Sequence, residues 1–129
     1  MVIINRLIAS TVIIIIVFAF SHSYAGDIII DTDGKSVEKG TICLASRVLD
    51  DGRILIYREN PADVERLIAD MVAAGEKDPQ LLSKDYWLHE EKKACHLMAA
   101  SKCKKGTCSG EKKCKSVIST GGFNYCKCK

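Results

Sequence analysis

A chain of 129 residues with seven cysteines leaves room for one ordinary domain, or for a small domain with a stapled appendage. The formal net charge of +3 conceals a division: residues 26–91 hold eight basic and fifteen acidic side chains, whereas residues 92–129 hold ten lysines against one acid, Glu111. An acidic half joined to a basic half points to mutual docking or to a basic face that seeks anions.

The first 25 residues read as an export signal. One positive charge, Arg6, precedes an apolar run from Leu7 to Phe20. That run has 14 residues, against the roughly 20 that a membrane-spanning helix needs. Ser23 and Ala25 then put small side chains where signal peptidase accepts them. Cleavage there yields a mature chain starting at Gly26, expected to be secreted or periplasmic, with no transmembrane segment left.

Asp27–Asp31 reads as a short buried strand, and residues 32–35 as a turn. Thr41–Leu49 and Arg53–Arg58 read as a hairpin with Asp51-Gly52 as its two loop residues, since that dipeptide tolerates positive φ. Leu49 then faces Ile54 and Val48 faces Leu55. Cys43, Ala45, Leu49, Ile54 and Ile56 share one face; Leu44, Val48, Leu55 and Tyr57 share the other. Both faces are largely apolar, so both need cover.

Asn60 and Pro61 form a helix start, and Val64, Leu67, Ile68, Met71 and Val72 follow a helical stripe that ends at Gly75. Asp78-Pro79 repeats the capping pattern. A second helix is predicted from there to about Ala100, with Ser83 as an alternative start. Residues 113–119 and 123–129 read as a final hairpin turning at Thr120-Gly121-Gly122. The expected fold is α+β: a small antiparallel sheet packed by two helices, with a disulfide-stapled C-terminal β-hairpin module. The expected divisions are the signal at 1–25, an acidic α+β domain at 26–93 and a Lys-rich, Cys-rich module at 94–129.

Cys95, Cys103, Cys108, Cys114, Cys126 and Cys128 crowd the last 35 residues. Behind an export signal such density implies disulfides. Cys126 and Cys128 flank Lys127 on a strand, so they point to one face and each should reach back to an earlier cysteine. The pairing itself stays open among 15 possibilities. The odd cysteine is expected to be Cys43, acting as a small buried apolar residue.

Lys102, Lys104, Lys105, Lys112, Lys113 and Lys115 are the candidate anion-binding residues. Lysines at this density attract lipid headgroups, envelope polysaccharide or an acidic protein. Nucleic acid is not expected, because export argues against it and the segment lacks the arginine that planar recognition prefers. No nucleophile elbow or phosphate loop occurs, and His89-Glu90-Glu91-Lys92-Lys93 lacks the second histidine of a zinc-protease motif. A non-enzymatic binding protein without a cofactor is therefore expected. Cys95, His96, Cys103, Cys108 and His89 are competent zinc or copper ligands, which keeps a metal-binding protein as an alternative, although no Cys-x-x-Cys spacing is present.

In outline, a signal, an acidic region, the dibasic Lys92-Lys93 and a cationic six-cysteine tail ending in Cys126-Lys127-Cys128 resemble the precursors of defensin-type host-defence peptides. The resemblance covers about the last 35 residues and implies release of a cationic membrane-active peptide. The Cys-x-x-x-Cys spacing of the helix–sheet members is missing.

Overall fold

The computed structural model describes residues 27–89, 95–100, 102–104 and 108–129. The expected export signal at residues 1–25, and Gly26, Lys92, Lys93 and Lys105, lie outside the described residues. The elements run β1 (Ile29–Ile30), β2 (Ile42–Cys43), β3 (Ala45–Val48), β4 (Ile54–Tyr57), α1 (Pro61–Ala73), α2 (Lys84–Leu88), β5 (Leu97–Met98), β6 (Cys114–Ile118) and β7 (Asn124–Cys128). Five strands form one sheet in the order β1-β4-β3-β7-β6, and β2 pairs with β5 apart from it. The fold is α+β with a disulfide-stapled C-terminal hairpin, as the sequence predicts. Two features refine that outline. Strand β1 runs parallel to β4. The hairpin β6–β7 extends the main sheet, because β7 pairs with β3 through Ala45↔Tyr125 and Ser46↔Asn124.

The hairpin β3–β4 departs from expectation by one residue. Its loop is Asp50-Asp51-Gly52: Leu49 N–H donates to the Arg53 carbonyl at 2.7 Å and Gly52 N–H to the Leu49 carbonyl at 2.9 Å. Val48 therefore faces Ile54 and Arg47 faces Leu55. Gly52 takes φ +88°, which only glycine adopts at little cost. A one-residue slip moves side chains between faces. Ala45 and Leu49 consequently join Leu55 and Tyr57, while Cys43, Ile54 and Ile56 stay together on the other side.

Helix α1 forms as its signals dictate. The Asn60 side chain accepts from Asp63 N–H at 2.8 Å, and Pro61 sits in the first turn. Val64, Leu67 and Met71 are fully buried against the sheet, whereas Val72 is exposed. Gly75, at φ +91°, follows the helix end. The second helix is far shorter than expected. Among the described residues of that stretch only Lys84–Leu88 is helical, starting after Ser83, the alternative start, while Asp78-Pro79 lies in a turn. Residues 97–98 form a strand instead, with Cys43↔Leu97 and Ile42↔Met98. Tertiary pairing and the Cys95–Cys114 bridge override the helical pattern there, and Ala100 turns left-handed at φ +56°.

Two clusters cover the two faces of the sheet. Tyr57, Val64, Leu67, Met71, Trp87 and Phe123 fill the helix side, and Trp87 Nε1 donates to the Leu81 carbonyl at 2.8 Å. Ile29, Cys43, Ile56, Cys95, Leu97, Ala99 and Cys126 fill the other side, beneath the bridged cysteines. A polar tie locks β1 to α1. Asp63 accepts from Thr32 Oγ1 at 2.8 Å and from Arg58 N–H at 2.6 Å, and the Arg58 guanidinium pairs with Asp31 at 2.9 Å. The Lys35 N–H, then the Arg58 guanidinium and the Asp33 N–H, hold the Asp31 carboxyl below its ordinary range against the opposing effect of desolvation. Among the described residues no helix is long and apolar enough to cross a membrane.

Candidate functional site

Alternation along β6 and β7 sorts the hairpin's side chains by chemistry. The rungs are Cys114↔Cys128, Lys115↔Lys127, Ser116↔Cys126, Val117↔Tyr125 and Ile118↔Asn124. One step further, Lys113 and Lys129 exchange backbone hydrogen bonds at 3.1 and 2.9 Å. Successive strand residues point to opposite faces. Lys113, Lys115, Lys127 and Lys129 therefore stand on one face as two cross-strand rungs. Cys114, Cys126 and Cys128 occupy the other. Val117 and Tyr125 continue the lysine face inward to the helix-side core.

Like charges directly opposite each other on a sheet are destabilising. Among the described residues, nothing acidic relieves them. The ion pairs found there join Arg47 and Arg66 to Asp70, Arg53 to Asp51, Arg58 to Asp31, Lys84 to Glu65 and His96 to Glu59. Lys113, Lys115 and Lys129 are exposed and Lys127 is half-buried.

The opposite face holds the hairpin together. Cys95 bridges Cys114, Cys103 bridges Cys126 and Cys108 bridges Cys128. Cys126 and Cys128 each reach back to an earlier cysteine, as expected. The cysteines of the three bridges lie 19, 23 and 20 residues apart in turn, loops for which each bridge contributes about 3 kcal/mol. Cys43 is the unpaired one, as expected, and is 1% exposed. Its S–H donates to the Leu97 carbonyl at 3.6 Å. Burial pushes this thiol up to about 12, outweighing the pull of Arg58.

The candidate anion-binding lysines separate in space. Lys113 and Lys115 belong to the ladder, and Lys112 precedes it, exposed. Lys102 and Lys104 flank Cys103 beyond β5, also exposed. The Lys104 N–H donates to the His96 carbonyl at 2.8 Å. Lys105 lies outside the described residues. Lys127 and Lys129, outside the six candidates, supply half of the ladder. The signal for them lay in the alternation of lysine with Cys114, Cys126 and Cys128 on either side of the turn at 120–122.

The sulfurs of Cys95, Cys108 and Cys128 lie within 4.8 Å of one another, as do those of Cys103, Cys114 and Cys126. All six are spent in disulfides, and a metal needs thiolates. Neither histidine joins these groups. His96 is buried with Nε2 3.3 Å from Glu59 Oε2, and His89 is exposed just beyond α2. The expected placement of both on one long helix is thus overturned. No family model, curated protein or solved structure is significantly similar to this chain.

Proposed function

We propose that this chain is an exported, non-enzymatic binding protein whose C-terminal hairpin engages an anionic surface or partner. The observation that carries this reading is the ladder of Lys113, Lys115, Lys127 and Lys129. Four ammonium groups share one face, without a carboxylate partner among the described residues. Three disulfides on the reverse side hold the arrangement against its own repulsion. Charges kept together at a structural cost and left unneutralised are suited to an external anion. The intact chain is the acting species in this reading. Phe123 and Tyr125 of the hairpin are buried with Trp87 and Leu67, so releasing the tail as a peptide would expose that core.

Co-sedimentation with anionic and with neutral vesicles, and retention on anionic and neutral polysaccharide, test the reading. Binding is expected only to the anionic member of each pair. It should weaken steeply with salt, as the screening length falls from about 10 Å at 0.1 M to about 3 Å at 1 M. Changing Lys113, Lys115, Lys127 and Lys129 together to Gln should remove most of the affinity, since each lysine near an anionic membrane is worth about 1 kcal/mol. Binding that ignores salt, or that treats neutral and anionic surfaces alike, overturns the reading.

A further inference from the structure

The ladder ends at an open sheet edge. Lys113 exchanges its backbone bonds with Lys129, and Ser119 N–H donates to the Phe123 carbonyl at 2.9 Å. In an antiparallel pair hydrogen-bonded positions recur at every second residue. The odd-numbered residues of β6 therefore bond inward to β7. The N–H and C=O groups of Cys114, Ser116 and Ile118 point outward, and among the described residues no strand pairs with that side. Ser116 is exposed and Ile118 is 72% exposed. The edge thus combines three things: outward main-chain donors and acceptors, Lys113 and Lys115 on one face, and an exposed apolar side chain on the other.

These features discriminate between occupants. A second copy pairing through β6 would set lysine against lysine, and edge lysines guard against such self-pairing. A lipid headgroup supplies charge but no main chain to match the edge. A polypeptide in extended form supplies both. We propose that the outer edge of β6 binds an extended acidic peptide segment as a sixth strand, its carboxylates at alternate positions facing Lys113 and Lys115. The proposal rests on the anion-binding reading above and names its partner class. In antiparallel addition, the residues opposite Ser116 and Ile118 lie on the non-lysine face, and an apolar side chain there meets Ile118. Their own N–H and C=O groups bond to β6. The acidic residues between them turn their N–H groups to solvent. Lys127 and Lys129, one strand further in, extend the positive field behind the first rung.

The experiment is fluorescence anisotropy of the full oxidised chain with a short capped peptide of alternating Glu and Val. N-methylation at the valines should weaken binding by at least about tenfold, because it removes the donors aimed at β6. N-methylation at the glutamates should leave affinity unchanged. Ser116→Pro removes an outward N–H that the hairpin does not use, and should reproduce the loss with all three disulfides intact by mass spectrometry. Lys113→Gln with Lys115→Gln should weaken the peptide by about tenfold or more and flatten its salt dependence. Equal affinity for the peptides methylated at valine and at glutamate overturns strand addition. If anionic vesicles and a flexible polyanion still bind, the ladder reading survives that result. Loss of all three ligands removes both proposals. A wild-type protein that binds polyanion but no peptide leaves the edge lysines as protection against self-pairing and overturns the inference.

Discussion

Charge is handled differently in the two halves of the main sheet. Around β1, β3, β4 and α1, Arg47, Arg53, Arg58 and Arg66 each meet a carboxylate. Asp70 is a junction there: it accepts from the Tyr57 hydroxyl at 2.7 Å and receives Arg66 and Arg47, the latter also lying 5.2 Å over the Phe123 ring. Across β3, on β6 and β7, lysine stands opposite lysine. In the first region charges are consumed in opposite-sign pairs, so their removal should cost stability. In the second they oppose the fold, and covalent bridges on the reverse face carry the load. A charge that the fold does not need, and that resists it, is available to something else.

The comparison breaks most severely if the regions prove to be independent units. Phe123 belongs to the hairpin but is fully buried in the helix-side core beside Tyr57. Phe123→Ala should destabilise the whole chain by about 3–5 kcal/mol, with far-UV and Trp87 fluorescence transitions moving together in urea. Separate transitions would show two units.

Removing one bridge should cost less and act unevenly. Cys103→Ser with Cys126→Ser should lower stability by about 2–4 kcal/mol. The loss should grow at low salt, where repulsion between the rungs is least screened. Equal losses at low and high salt would mean that the bridges do not offset the ladder.

Smaller again is the polar tie of the acidic half. Asp63→Ala leaves Arg58 N–H and Thr32 Oγ1 without their acceptor and should cost about 1–3 kcal/mol. Amide exchange should report it first at residues 29–35 and 58–64.

The smallest effects carry opposite signs. Arg66→Gln removes a partner of Asp70 and should cost about 0.3–0.5 kcal/mol. Lys115→Gln relieves a like-charge rung and should gain about 0.2–1 kcal/mol. Paired denaturation curves at low salt measure both, and a loss at Lys115 would mean that the ladder is structurally neutral or supportive.

Sequence and structure agree best where signals are local. Asn60, Pro61 and the stripe through Val64, Leu67 and Met71 define α1 without outside help. The density of cysteines signalled the bridges, and the strand position of Cys43 marked it as the odd one. The two hairpin loops account for the one register that departs from expectation. Both have three residues and share one bonding pattern: Gly52 N–H to Leu49 and Leu49 N–H to Arg53, then Gly122 N–H to Ser119 and Ser119 N–H to Phe123. Reading the first loop as Asp51-Gly52 alone, when Asp50 belongs to it, displaced one register and left the other intact. The short α2 has a different cause. Nothing local in residues 95–100 says that β2, more than 50 positions away, will draw Leu97 and Met98 into a strand. The lysine ladder follows from the β6–β7 register, which the turn at Thr120-Gly121-Gly122 already implies by setting Lys115 opposite Lys127.

Cys43 gives the bridge pattern a history as well as a structure. Its thiol lies in the same buried cluster as the six bridged sulfurs, yet only a thiolate attacks a disulfide. With the thiol held near 12, the folded protein keeps its own reagent disarmed. Heating past the unfolding transition at mildly alkaline pH returns Cys43 to the ordinary range of about 8.5. From there it can attack the bridges in turn. Thermal unfolding should therefore grow irreversible with time spent unfolded, through shuffled linkages, and Cys43→Ala should restore recovery on cooling. The native fold guards the order of its own crosslinks, and one thiol sets how long that order outlasts the fold.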